Sequence, residues 1–119
     1  MEKLNAQEEA AMMAVWRTGE ANVKAFLNKM EDSKVPYTTL ASTIKNLEKK
    51  GYLKSRMLGN TYLYRAAITQ EEYKEQFMKG VIKNYFDNSY TDLVNFFVKQ
   101  KKMSAKELKE IIELIEKKK

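Results

Sequence analysis

The hydrophobic period of this chain changes twice, and that most narrows what it can fold into. Up to Gly51 the apolar residues recur at helical spacing. From Tyr52 to Ala66 they alternate with polar ones, and from Thr69 onward the helical spacing returns. A helix buries a stripe with a period near 3.6 and a half-buried strand buries every second residue. These periods therefore describe a short two-stranded insert between two helical stretches. Tyr52-Leu53-Lys54-Ser55-Arg56-Met57 and Thr61-Tyr62-Leu63-Tyr64-Arg65-Ala66 read as the strands, with Leu58-Gly59-Asn60 as a tight turn.

Three helices precede the insert. Asn5 and Glu8 have the spacing of a capping box, and Leu4, Met12, Val15 and Trp16 fall near one face of a helix ending before Gly19. Val23, Phe26, Leu27 and Met30 form the stripe of a second, short helix. Pro36 disfavours helix at Val35 and closes a polar break. The third helix opens near Tyr37 or Thr38 and stops at Gly51, which suits a left-handed C′ position. Leu40, Ile44 and Leu47 are its buried stripe. Its other faces carry Thr38, Thr39, Ser42, Thr43, Lys45, Asn46, Lys49 and Lys50.

Three more helices follow the insert. Thr69 and Glu72 repeat the capping-box spacing. Tyr73, Phe77, Val81 and Tyr85 then line one face, and Met78, Ile82 and Phe86 the adjoining one. Asp87-Asn88-Ser89 breaks this helix, and Leu93, Phe96 and Phe97 mark the next. Ser104 and Glu107 cap the last, whose stripe is Leu108, Ile111, Ile112 and Ile115. The fold class is thus mainly α with a small β-hairpin: a winged helix-turn-helix over residues 1–68, then a helical dimerisation region over 69–119. The second region has wide apolar faces and too little chain to cover them. Tyr73, Phe77, Val81, Tyr85, Leu93, Phe96, Phe97, Leu108, Ile111, Ile112 and Ile115 are expected to meet a second copy.

Composition removes most chemistries. The 119 residues include no Cys and no His, which excludes disulfides, thiol nucleophiles, zinc fingers and imidazole-based triads. No Gly-rich phosphate loop or Asp-rich calcium loop occurs, so neither a cofactor nor a metal is expected, and the chain does not read as an enzyme. No apolar run is long enough to span a bilayer and no signal-peptide pattern opens the chain, so a cytoplasmic protein is expected. Glu8 and Glu9 read as charges at a helix N-terminus, not as a catalytic pair. Tyr62 and Tyr64 share a strand face and read as wing core. Trp16 reads as a core anchor, and Met12, Met13, Met30 and Met57 as gap-filling or partly exposed.

The charge balance points to double-stranded DNA. Lys and Arg number 22 against 16 Asp and Glu, a net charge of +6. From Thr43 to Arg65, six cations (Lys45, Lys49, Lys50, Lys54, Arg56 and Arg65) face one acid, Glu48. In a winged helix, the third helix presents its outer face to the major groove. Thr38, Thr39, Ser42, Thr43 and Asn46 are then base or groove contacts, and Lys45, Lys49, Lys50, Arg56 and Arg65 phosphate contacts. Two other readings use the same residues. One is a protein-interaction module, which does not need a basic third helix and wing. The other is a regulator with a small-ligand pocket at the dimer interface, lined by Tyr73, Phe77, Tyr85 and Phe86.

Several stretches resemble the penicillinase repressor family of winged-helix regulators. Leu4-Asn5-Ala6-Gln7-Glu8 through Val15-Trp16 is similar to the family's opening motif, and Val23-Lys24 matches the start of its second helix. Tyr37-Thr38-Thr39-Leu40 through Leu47-Glu48-Lys49-Lys50-Gly51 is similar to its third-helix motif, and Tyr62-Leu63-Tyr64-Arg65 to its closing wing strand. The resemblance implies a homodimeric repressor on a palindromic operator. In the beta-lactam-responsive members it further implies a membrane sensor-protease pathway that ends in cleavage of the repressor between Asn and Phe. Leu93-Val94-Asn95-Phe96-Phe97 resembles that context, so the resemblance makes Asn95–Phe96 the candidate scissile bond. Ser42, Lys45 and Asn46 depart from the common pattern, which implies a different operator sequence. The cysteine cluster of the copper-responsive branch is absent.

Overall fold

The computed structural model describes residues 2–117, with only the backbone described for 114–117. The chain divides into two compact units between Tyr73 and Lys74. The first contains α1 (Ala6–Thr18), α2 (Val23–Leu27), α3 (Tyr37–Lys49), β1 (Leu53–Leu58) and β2 (Thr61–Ala66). The helical region then comprises α4 (Gln70–Phe86), α5 (Tyr90–Lys99) and α6 (Ala105–Lys117). The structure is mainly helical with one antiparallel hairpin after three helices, the winged-helix arrangement.

Local signals account for most element ends. The side chain of Asn5 accepts from the Glu8 amide at 2.8 Å and the Glu8 carboxylate accepts from the Asn5 amide at 3.0 Å, completing the capping box of α1. The α3 helix closes in a Schellman motif: the Gly51 amide donates to Glu48 C=O at 3.0 Å and the Tyr52 amide to Leu47 C=O at 2.9 Å. Gly51 sits at φ +87°, where a Cβ would crowd the backbone. Gly51→Ala is expected to cost about 1–2 kcal/mol of stability, measured by denaturant unfolding; an unchanged midpoint would remove this role.

Two elements differ from their sequence expectation. The α2 helix stops at Leu27, before Met30. The Lys29 amide donates to Phe26 C=O and the Met30 amide to Leu27 C=O, so the stripe continues as tight turns that keep Met30 half-buried. Tyr52 belongs to the helix stop, and β1 starts one residue later, at Leu53. Strand pairing runs from Leu53↔Ala66 to Leu58↔Thr61, which leaves a two-residue turn, Gly59-Asn60, with Gly59 at φ +62°. Ala21, between α1 and α2, adds a bridge to the sheet by exchanging two backbone bonds with Tyr64 at 2.8 and 3.1 Å.

The core of the first unit gathers the predicted stripes: Met12 and Val15 of α1, Phe26 of α2, Leu40, Ile44 and Leu47 of α3, and Leu53 and Tyr64 of the hairpin. Tyr73, expected at a dimer contact, packs here. Its ring lies 5.5 Å from Trp16 and 6.2 Å from Tyr52, and its hydroxyl donates to Glu9 at 2.6 Å. Burial and the Glu9 carboxylate together push the Tyr73 hydroxyl well above the ordinary phenol range. Trp16 donates its indole N–H to Ile68 C=O at 3.0 Å. The aromatic cluster thus carries the first unit past residue 68, to Tyr73.

In the second unit, Asp87 and Asn88 take positive φ and end α4, and the Ser89 side chain caps α5 by accepting from the Asp92 amide at 3.0 Å. Ser104 and Glu107 form the box that opens α6. Ile82 is buried, and Phe96 packs edge-on against Phe86 at 5.8 Å and Phe97 at 5.6 Å. Phe77, Tyr85, Phe96, Phe97, Ile111 and Ile112 remain exposed in the single chain, while Val81, Leu93 and Leu108 are half-buried. The side chain of Ile115 lies outside the described residues.

Candidate nucleic-acid interface

The outer surface of α3 is built by what its inner surface buries. Leu40, Ile44 and Leu47 are almost completely inaccessible, which turns Thr38, Ser42, Lys45, Asn46 and Lys49 to solvent. Thr38, Ser42, Lys45 and Lys49 recur at alternate spacings of about four and three and so form one ridge. Beside them lies a shallow polar depression of about 390 Å³, lined by Thr38, Thr39, Ser42, Thr43 and Asn46 with Gln7 of α1 at its edge. The N-terminus of α3 is capped by Pro36 without a side-chain bond, and its first turn holds no acid. The positive end of the helix dipole therefore stays unneutralised next to this ridge.

Three predicted site residues are engaged elsewhere. Thr43 is buried and its hydroxyl donates to Thr39 C=O at 3.0 Å, because the 43 position lies beside Ile44 on the inward side of the helix. Lys50 points back to α1, where its ammonium meets the buried Glu8 carboxylate at 2.7 Å. Burial alone would raise the Glu8 pKa, but the Asn5 amide and Lys50 outweigh it and hold the group below its usual value. Arg56 forms a two-point fork on Glu20, at 2.7 and 3.0 Å. Its hydrogen bonds are the main reason the Glu20 carboxyl is held low. The Lys50 and Arg56 charges are thus neutralised inside the first unit. Lys45, Lys49, Lys54 and Arg65 are exposed, and none makes an ion pair among the described residues.

The hairpin has two chemically distinct faces. Cross-strand partners share a face, so Lys54 with Arg65 and Arg56 with Leu63 lie on one side. Ser55 with Tyr64 and Met57 with Tyr62 lie on the other, the side that meets α3, where Ser55 donates a hydrogen bond to Glu48. Lys54 directly opposite Arg65 is a like-charge pair, unfavourable unless an anion lies nearby. Tyr64 is buried as wing core, whereas Tyr62 is 56% exposed. The partners Glu8, Glu20 and Glu48 did not figure in the expected site. Glu8 was detectable, since it falls on the same helical stripe as Ala11, Met12 and Val15.

Comparison with known proteins agrees with this architecture. The solution structure of the DNA-binding domain of the repressor BlaI is 21% identical, with a TM-score of 0.51, over 61% of this chain and 94% of that one. TrmBL2, described as an archaeal chromatin protein with a novel mode of DNA binding, is 24% identical with a TM-score of 0.50, over 94% of this chain and 38% of that one. BpsR of Bordetella bronchiseptica, whose DNA binding is described as regulated by 6-hydroxynicotinic acid, is 15% identical with a TM-score of 0.50, over 98% of this chain and 75% of that one. At these identities the likeness is one of fold. No match was found among curated protein sequences. The family model for the penicillinase repressor matches residues 4–117, almost the whole chain, and this protein therefore belongs to the penicillinase repressor family of DNA-binding transcriptional repressors.

Proposed function

We propose that this repressor acts as a homodimer on a palindromic operator, each α3 reading one half-site in the major groove. The observation that carries the reading is the exposed ridge of Thr38, Ser42, Lys45 and Lys49, with Asn46 beside it, held outward by a fully buried stripe. The hydroxyls of Thr38 and Ser42 at its N-terminal end and the Asn46 amide between the lysines suit base edges, and Lys45 and Lys49 toward its C-terminal end suit phosphates. Lys54 and Arg65 extend the cationic surface onto the wing. Support for the homodimer comes from the second unit, where Phe77, Tyr85, Phe96 and Ile112 are each about half or more exposed in the single chain. Two half-sites then mirror the two-fold symmetry of the protein.

Membership in the family supports a beta-lactam-responsive control in which a membrane sensor-protease pathway ends in cleavage at Asn95–Phe96. That bond lies inside α5, with both residues exposed. A protease binds its substrate in extended form, so cleavage requires α5 to unwind locally.

The test is a fluorescence anisotropy titration against the DNA upstream of the protein's own gene, with a shuffled duplex as competitor, across a salt series. Lys45→Ala and Lys49→Ala are each expected to weaken binding to both duplexes and to lower the salt slope by about one. Ser42→Ala and Asn46→Ala are expected to cost about 1–3 kcal/mol on the specific duplex alone. Equal, weak binding of both duplexes by the unaltered chain would reject sequence-specific recognition at that locus.

A further inference from the structure

The wing changes character along its length. Its root carries Lys54, Arg56 and Arg65, all on one face. Its tip, from Met57 to Tyr62, carries no charge. Met57 is 51% exposed, Leu58 59% and Tyr62 56%. Met57 and Tyr62 are direct cross-strand partners on the face toward α3, and Leu58 closes the turn on the opposite face, so the tip is apolar on both sides. Tyr62 is steadied by the buried Tyr64 ring 6.4 Å away. Large apolar side chains left half-exposed at the end of a two-stranded hairpin recover only part of their burial inside the first unit. The rest is gained on a partner outside it.

The geometry points to an apolar wedge: Met57, Leu58 and Tyr62 enter the DNA minor groove beside the half-site read by α3, pack on its sugars and press against a base step. Continuity decides the occupant. The tip extends the same hairpin whose root cations flank it and whose inner face is tied to α3 through Ser55 and Glu48, so DNA held by α3 meets the tip next. The six-residue strands span about 20 Å, enough to cross a phosphate ridge with cations on the ridge and the tip beyond it. A minor groove is about 6 Å wide and its walls are deoxyribose, which suits unbranched Met and a tight turn led by Gly59. The wedge deepens the DNA reading above and rests on it. It adds a specificity element: steps that unstack easily, such as TA and CA, are favoured where the tip lands, without any hydrogen bond to a base.

The experiment uses the full chain and the duplex it retains from a randomised DNA library. Binding of Met57→Ser, Leu58→Ser and the comparison variant Lys49→Ala is measured over a salt series, with a 2-aminopurine placed at the step flanking the half-site. The serine variants are expected to lose about ten-fold in affinity with an unchanged salt slope, and to lose the 2-aminopurine fluorescence that reports unstacking. Lys49→Ala is expected to keep the fluorescence and lower the slope. Serine variants that bind like the unaltered chain, while Lys49→Ala weakens, overturn the wedge and leave the DNA reading intact. A library selection that retains no duplex overturns the DNA reading and the wedge with it. Serine variants whose mass in sedimentation without DNA differs from that of the unaltered chain assign the tip to a second copy and overturn the wedge. Thermal melting of both serine variants is expected to match the unaltered chain, since both positions are exposed.

Discussion

A chain that ends at Asn95 is expected to bind the full operator about 10²–10⁴-fold more weakly than the intact protein, while binding an isolated half-site equally well. The loss follows from linkage alone. Once one head of a dimer is bound, the other sees its half-site at a high effective concentration, and that gain vanishes when the heads are separate molecules. Ending the chain at Asn95 removes Phe96, which packs edge-on against Phe86, together with Phe97 and all of α6, whose Ile111 and Ile112 are exposed in the single chain. The first unit keeps its own core from Leu4 to Ile68 and so keeps its grip on a half-site. Sedimentation equilibrium reads the dimer, and anisotropy on full and half operators reads the two affinities. A shortened chain that remains dimeric, or one that binds the full operator undiminished, would exclude the residues after Asn95 from dimerisation and remove the logic of regulation by cleavage there.

What could be read from the sequence was whatever local spacing controls. The boxes at Asn5, Thr69 and Ser104, the helix stop at Gly51 and the alternating hairpin are each set within a few residues, and each is present. The ridge on α3 could be read for the same reason: Leu40, Ile44 and Leu47 fix which side faces in. What could not be read involves partners distant in sequence. Lys50 reaches Glu8, Arg56 reaches Glu20, and Tyr73 reaches Glu9 and Trp16. From spacing alone, Lys49 and Lys50 are equivalent cations near a helix end. One residue of rotation about α3 points Lys50 at α1 and leaves Lys49 in solvent. Tyr73 likewise opens an amphipathic helix whose stripe continues to Tyr85, and only the fold shows that its ring belongs to the first core. The end of α2 before Met30 escaped because nothing in Asn28-Lys29 breaks a helix; the chain tightens there into turns that keep Met30 against the core.

The neighbouring lysines give the second large effect, and the two variants should separate cleanly. Lys50→Met is expected to lower stability by about 2–3 kcal/mol, because it strands a buried carboxylate. Glu8 is 4% exposed and Lys50 is its partner at 2.7 Å, so the variant leaves the carboxylate buried with the Asn5 amide as its remaining hydrogen-bond donor. For a domain of this size that is a fall in melting temperature on the order of 10 °C or more. The pH dependence carries the proof. The Glu8 pKa is held below its ordinary value of 4.5 in the folded state. A depressed carboxyl stabilises the fold above the unfolded value and loses that contribution as pH falls through the folded one. Without Lys50, burial acts against only the Asn5 amide, and the Glu8 pKa moves up. The gap between the two proteins is therefore widest near neutrality and narrows as pH falls into the acid range, because the variant's Glu8 takes up its proton before that of the unaltered chain. Lys49→Ala, at an exposed position, is expected to stay within about 0.5 kcal/mol of the unaltered chain at every pH and to lose only DNA affinity. If Lys50→Met instead melts with the unaltered chain and lowers the salt slope of DNA binding by about one, its ammonium contacts phosphate and the pair with Glu8 is dispensable. A stability gap that stays constant between pH 7 and pH 4 would place the cost in lost packing of the lysine stem, not in the stranded charge.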